Sequence, residues 1–383
     1  MDKARSFYIE ILRIIAASYV FIYHFGSETS GYTLSFSTTV FNETLGLHYN
    51  SAHYFVIVFF VLSGFLITMS ASRKNLTMKD FLIIRLGRLY SVLIPSLIFS
   101  YLVMFILLNY CHVPPQNIAN TTNLPARFIL NILFLAQSWT LSSTPPLNAP
   151  FWSIDYEFIY YLLLGGALLL KAKQRIIVLL IVLLVAGPKV LLLFPAWLIG
   201  SLLYYISAKY LLPYRISLTI FLVTLVIICL AIVDPFIIPF TKLSSEKYAF
   251  GYNLFYSWNY FADYCFALII GLNLYSAFGI SGRISAVFEW RLAKKAYTFT
   301  RKLGNCTFTL YLFHLPLLFL YSSIFPYDKA SVNNQLFLIA GVALSVFMIA
   351  RYTEWKVEFW RSLVSHQFDS GSALKNFLIN KLK

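Results

Sequence analysis

The first apolar stretch of the chain carries three ionisable side chains, Glu10, Arg13 and His24. Arg13 and His24 are eleven residues apart, which is three helical turns or roughly 16 Å, so both side chains lie on nearly the same helix face. Glu10 lies one turn from Arg13 and is expected to neutralise it. Because imidazole exchanges a proton near neutral pH, His24 can act as a general base toward a hydroxyl group. The competing interpretation is an interfacial histidine hydrogen-bonded to a neighbour.

A carboxylate beside His24 would orient the imidazole and stabilise its protonated form. Glu157 follows Phe151-Trp152-Ser153 and is expected about one and a half turns into its helix, at the depth that His24 reaches from the other direction. Asp263, near the outer end of another apolar run, is the second candidate partner. The spacing leaves both candidates open.

Three further residues have both a chemical and a structural interpretation. Arg85 and Arg88 are three residues apart and share a helix face, and guanidinium groups pair well with phosphates. The alternative is anchoring to lipid phosphates on the cytoplasmic side. His314 lies in the middle of an apolar run, shortly before Pro316. It is expected either to line a pore or to bond to a neighbouring helix.

These residues belong to a chain of 383 residues that is 59% hydrophobic and only 12% charged. An ordinary soluble domain is about 45–50% apolar and about 25% charged, so a soluble enzyme is excluded. The four cysteines form no Cys-x-x-Cys pair and have no zinc-like spacing, so they are interpreted as packing residues and no metal is expected.

Apolar runs of membrane-spanning length predict an all-α bundle of about ten transmembrane helices. The predicted spans are 7–26, 54–71, 90–111, 152–170, 175–192, 195–208, 216–233, 262–280, 304–324 and 334–353. Phe128 to Ala136 is too short to cross and is expected to form a re-entrant or interfacial helix. The first span is expected to remain uncleaved, because no small-residue cleavage site follows it.

The distribution of charge agrees with this topology. Ten spans place about 23 of the 30 basic residues on the side of the N-terminus, which the positive-inside rule assigns to the cytoplasm. Both termini are then cytoplasmic, and the net charge of +15 requires no nucleic-acid partner. The loop from Ser27 to His53 contains no Lys or Arg and is expected outside. Residues 1–356 are expected to form one membrane domain, and residues 357–383 a short cytoplasmic tail.

Six segments, taken in order, resemble the acyltransferase 3 family of integral membrane acyltransferases, which act largely on bacterial cell-surface glycans. They are Arg13 followed after ten residues by His24, Phe59 to Ile67, Arg85 with Arg88, Trp152-Ser153 with Glu157, Phe194 to Gly200, and Leu303 to His314. Some relatives carry an added external esterase-like domain. This chain shows none, so the membrane part is expected to transfer the acyl group alone, with a separate glycan-assembly protein as the alternative.

The resemblance implies an O-acetyltransferase in a bacterial inner membrane. Acetyl from cytoplasmic acetyl-CoA would pass to a hydroxyl of a cell-surface polysaccharide or lipopolysaccharide O-antigen sugar. No permanently bound cofactor is expected. The resemblance implies catalytic roles for His24, Glu157 and Arg13, with His24 either as a general base in direct transfer or as the carrier in a covalent acyl-histidine relay. It also implies CoA binding by Arg85 and Arg88, and substrate or pore contacts by Trp152, Ser153, Asp263 and His314.

A proton-coupled transporter is the competing class, because ionisable residues inside a membrane often mark proton pathways. A carrier built on inverted repeats should show broken helices at matching places in its two halves. Gly187-Pro188 interrupts one apolar run and has no such counterpart. The sequence therefore favours the acyltransferase.

Overall fold

The computed structural model describes residues 1–26, 51–233, 248–249, 252–325, 328 and 331–368. The predicted all-α architecture is confirmed, apart from a two-residue antiparallel ladder of β1 (Tyr248–Ala249) and β2 (Tyr252–Asn253). In chain order, the α-helices of the described residues are α1 (Lys3–Gly26), α2 (Ser51–Ala71), α3 (Met78–Asn109), α4 (Leu124–Ile132), α5 (Trp152–Leu169), α6 (Ala172–Ala186), α7 (Pro188–Leu192), α8 (Phe194–Lys209), α9 (Tyr214–Val233), α10 (Tyr260–Ile284), α11 (Arg291–Gly304), α12 (Thr307–Ile324) and α13 (Val332–Ala350). After the short 3-10 turn Glu354–Lys356, residues 357–368 form one more helix.

Seven helices among the described residues are long and apolar enough to cross a membrane. They are α1, α2, α3, α9, α10, α12 and the run that begins with α13. The other three predicted spans, 152–170, 175–192 and 195–208, fall on α5 to α8. At 1.5 Å per residue, the 15 residues of α6 rise about 22 Å, less than the roughly 30 Å of a bilayer core. The count of ten spans and the cytoplasmic position of both termini remain predictions.

Three predicted boundaries differ from the observed ones. The span predicted over 175–192 is broken at Gly187, whose φ of 74° favours glycine, and Pro188 then starts α7. The short helix predicted at Phe128 to Ala136 is observed four residues earlier, as α4. The third predicted span begins at Met78 instead of residue 90, because the Thr77 side chain caps the helix by accepting from the Asp80 amide. Of the predicted outer loop, residues 27–50 lie outside the described residues, as do residues 369–383 of the predicted tail.

Apolar side chains cover the outside of the bundle as well as its interior. On α6, Ile176, Leu180 and Leu184 are 61%, 55% and 67% exposed, and they recur every fourth residue on one helix face. Exposing such a stripe to water would be unfavourable, but the stripe is expected where a helix faces lipid tails. The exposed apolar stripe thus supports a multi-pass membrane protein.

Helices α2 and α8 approach each other closely enough for their backbones to touch. A Cβ atom on Gly64 would lie 2.0 Å from the carbonyl oxygen of Trp197, and one on Gly200 would lie 1.9 Å from that of Val61. Small residues permit this kind of contact between membrane helices. The contact brings Trp197 Nε1 to 3.2 Å from Ser63 Oγ, which connects α8 to the interior face of α2.

Candidate active site

His24, in the last turn of α1, meets a second histidine near the middle of α12. Its Nδ1 lies 3.0 Å from Nε2 of His314, which comes from α12 and is fully buried. His24 itself is half-buried at the last turn of α1. Two roles were predicted for His314, lining a pore or bonding to a neighbouring helix. The structure shows the second role for its Nε2, which is bonded to His24 on α1.

The hydrogen-bond network assigns the tautomers of this pair. Nδ1 of His314 lies 2.9 Å from the carbonyl oxygen of Leu310, and a carbonyl can only accept. In the neutral ring, Nδ1 of His314 therefore carries the proton and its Nε2 is an acceptor. Nδ1 of His24 must then donate to Nε2 of His314, and Nε2 of His24 keeps its lone pair. In this tautomer, Nε2 is the nitrogen of His24 that can accept a proton.

Glu157 occupies a different place from the one that the sequence predicts. Its carboxylate accepts hydrogen bonds from Ser63 Oγ, at 2.6 Å, and from the Tyr161 hydroxyl. The hydrogen-bond partners of Glu157 thus lie on α2 and on α5 itself, in place of the predicted His24. In the first turn of α5, Ser153 is bonded to the Tyr311 hydroxyl at 2.8 Å.

Asp263 is bonded to a histidine other than His24. The buried Asp263 Oδ2 lies 3.0 Å from Nε2 of His53, at the first turn of α2. The His53 ring stacks on Trp152, whose other neighbour in the stack is Tyr256, with ring centroids 4.5 Å apart. Burial raises the pKa of Tyr256 to about 12, so its hydroxyl remains protonated. Both carboxylates predicted as partners of His24 therefore have other partners.

Arg13 is held in place from two sides. The predicted ion pair with Glu10 is confirmed, with Arg13 Nη1 2.9 Å from Glu10 Oε2. The other terminal nitrogen of Arg13 donates to Thr307 Oγ1 at 3.0 Å, at the start of α12. Arg13 thus connects the middle of α1 to the start of α12, about three helical turns along α1 from the histidine pair.

A cavity of about 410 Å³ extends from Arg13 toward the histidine pair. This is within the range of roughly 300–1,000 Å³ that is typical of small-molecule sites. Along α2 its lining runs from Val56 to Ser70, which is about 21 Å at 1.5 Å per residue. The charged side chains that line it are Glu10, Arg13, Arg73, Arg85, Arg88, Glu157 and Arg361.

Arg85 and Arg88, the two arginines predicted to bind phosphate, both line this cavity. They lie near the C-terminal end of α2. Arg85 is half-buried and donates to Ser70 Oγ at 2.5 Å. At the other end, the lining reaches Ser153 and Tyr311. Because His314 follows Tyr311 by three residues, the histidine pair lies one helical turn beyond the cavity.

Several residues of the site were missed by sequence reasoning. Ser63 and Tyr161 bind Glu157, His53 binds Asp263, and Arg361 lines the cavity. His53 could have been noticed as an ionisable residue at the outer end of the second apolar run. No spacing pointed to Ser63, Tyr161 or Arg361, since their roles depend on contacts between distant helices.

A model of the acyltransferase 3 family, described as an acyltransferase domain, matches residues 6–350. The chain belongs to this family. Membership implies acyltransferase activity, and together with the seven apolar helices it identifies the protein as a multi-pass membrane acyltransferase. The matched region contains the histidine pair, Arg85 and Arg88, and it ends before Arg361. No curated protein and no solved structure matches the chain.

Proposed function

We propose that this protein transfers an acetyl group from cytoplasmic acetyl-CoA to a hydroxyl of a cell-surface polysaccharide or lipopolysaccharide O-antigen sugar. The reaction would take place in a bacterial inner membrane, with the glycan bound on the outer side. The observation that carries the proposal is the cavity, which has arginines near one end and ends one turn short of the histidine pair.

The dimensions of the cavity suit a donor with a long acyl-carrying arm. The pantetheine arm of CoA is about 15–20 Å long when extended, by comparison with an extended chain. The lining of the cavity along α2 covers about 21 Å. With its phosphates at Arg85 and Arg88, the donor would extend its thioester toward His24. Neither CoA nor the glycan then needs to cross the membrane.

The histidine pair would act on the acceptor hydroxyl. Nε2 of His24 removes the proton as the hydroxyl oxygen attacks the thioester carbonyl, and a new ester bond forms while the C–S bond breaks. The imidazolium then returns the proton to the departing thiolate of CoA. His314 touches no reacting atom in this scheme. It positions His24 by accepting from Nδ1–H, which is a stronger bond once His24 is charged.

Release of CoA by the purified protein tests this function. Protein reconstituted in lipid vesicles is supplied with acetyl-CoA, with and without an extracted cell-surface glycan, and free thiol is measured. We expect thiol release that depends on the glycan, together with a mass gain of whole acetyl units on the glycan. No thiol release with any surface glycan of the host cell would contradict the proposal, and solute uptake driven by a proton gradient would favour the transporter.

A further inference from the structure

The segment after residue 350 lies beyond the matched acyltransferase region, yet it is tied to the bundle at two points. The first is Glu354, in the short 3-10 turn after α13. Its Oε2 accepts from the backbone amide of Thr309 at 2.9 Å and from the Thr309 hydroxyl at 3.0 Å. This contact fixes the start of the 357–368 helix to the first turn of α12.

The second point of attachment is Gly87, between Arg85 and Arg88. A Cβ atom on Gly87 would lie 2.6 Å from Cγ and 2.9 Å from Cα of Arg361. Because one of these atoms belongs to the backbone, a rotamer change alone cannot relieve the clash. Glycine at position 87 is therefore what lets the 357–368 helix approach α3 at the two arginines.

The contact places the Arg361 side chain in the lining of the same cavity. Nη1 of Arg361 donates to Glu358, whose side chain is 82% exposed. Within the described part of the chain, Nε of Arg361 and Nε of Arg85 are both buried and make no hydrogen bond. Buried cationic donors without acceptors are costly, and an anion with several oxygen atoms would satisfy them.

The balance of charge around the cavity also calls for an anion. Five arginines line it against two glutamates. Glu10 is bonded to Arg13, and Glu157 to Ser63 and Tyr161. Arg73 is exposed, so the basic lining extends to the surface.

We propose that Arg361 completes a phosphate-binding site with Arg85 and Arg88, and that its ligand is a phosphate group of the nucleotide end of CoA. This inference rests on the proposed function, which names CoA as the donor. It adds the 357–368 helix, which lies outside the matched acyltransferase region, to the donor site. The role of Gly87 is to let this helix come close enough for Arg361 to reach the cavity. The same chemistry would bind a lipid phosphate, so the experiment separates the two ligands.

Equilibrium binding of CoA to the full-length protein in nanodiscs of neutral phosphatidylcholine tests the site. The variants are Arg361→Gln, Arg361→Lys and, as a matched control, Arg351→Gln. Arg351 is exposed on the same segment, with its guanidinium 5.1 Å from the Phe347 ring centre, and it does not line the cavity. We expect Arg361→Gln to raise the Kd for CoA about 10- to 100-fold, as for one lost charge-assisted contact. Arg361→Lys should recover part of the loss, and Arg351→Gln should bind like wild type.

A second ligand and a second variant keep a folding defect from being mistaken for a binding defect. Pantetheine lacks the nucleotide phosphates, so its competition with labelled CoA should give the same inhibition constant in wild type and Arg361→Gln. Gly87→Ala removes no arginine from the chain but displaces Arg361, so it should reproduce the CoA defect with pantetheine binding unchanged.

Three results would overturn the inference. An unchanged Kd for CoA in Arg361→Gln would remove Arg361 from the site. If Arg361→Gln weakens the binding of CoA and of pantetheine equally, Arg361 contacts no nucleotide phosphate, and a lipid phosphate replaces CoA as its ligand. If wild type binds no CoA at all, the proposed donor is wrong, and a CoA phosphate cannot be the ligand of Arg361.

Discussion

Replacing His314 with leucine tests whether the histidine pair works as its geometry implies. Leucine fills most of the imidazole's volume but cannot accept a hydrogen bond, so Nδ1–H of His24 loses the partner that lies 3.0 Å away. A hydrogen bond to a charged group contributes about 1.5–3 kcal/mol, and 1.36 kcal/mol is tenfold in rate. Because His24 becomes charged only as it takes the proton, we expect kcat to fall about 10- to 160-fold.

The assay is steady-state release of CoA thiol over a range of acetyl-CoA concentrations, followed with and without the glycan acceptor. The KM for acetyl-CoA should stay near that of wild type, because His314 does not line the cavity that receives the donor. His314→Gln should recover part of the rate, since the amide oxygen of glutamine can accept from Nδ1–H. A merely structural role would not distinguish glutamine from leucine.

Two controls accompany the measurement. Thermal unfolding of His314→Leu should resemble that of wild type, and His112→Asn, which removes an exposed histidine elsewhere in the chain, should retain full activity. Asparagine suits position 112 because φ is 53° there. Wild-type turnover in a folded His314→Leu protein would refute the tautomer argument, as would a His314→Gln protein that is as slow as the leucine variant.

Three further changes have definite expected outcomes. His24→Ala should lower transfer about 10²- to 10⁴-fold while the protein still inserts in the membrane, because a general base contributes that much; near-normal glycan acetylation by a well-expressed variant would contradict this. The double change Arg85→Lys with Arg88→Lys keeps the charge but loses the planar fork, so the KM for acetyl-CoA should rise about tenfold or more with the acceptor KM unchanged. An unchanged KM for acetyl-CoA would indicate that both arginines anchor the protein to lipid phosphates instead of binding the donor. Gly200→Ala should lower the melting temperature and the yield of folded protein, because its methyl group would overlap the Val61 carbonyl; a wild-type melting curve would show that α2 and α8 can separate at no cost.

Properties that depend on neighbouring positions in the chain could be predicted from the sequence. The Glu10–Arg13 pair follows from a spacing of one helical turn, and it is present at 2.9 Å. Arg85 and Arg88 lie on one helix, as their spacing implied, and they line one cavity. The apolar composition indicated a membrane protein. In each case the helix itself sets the relation between the residues, so no tertiary contact had to be known.

The partners of the predicted catalytic groups were decided by how the helices pack. His24 and His314 are 290 residues apart, and only the contact between α1 and α12 brings their rings together. Glu157 and Asp263 were predicted near His24 from their depth along single helices, but the depth at which a helix begins is set by its neighbours. Arg361 lines the cavity because glycine at position 87 allows a close backbone approach. Helical periodicity determines the positions of residues within one helix, whereas the rotation and depth of one helix against another depend on side-chain packing along the whole interface.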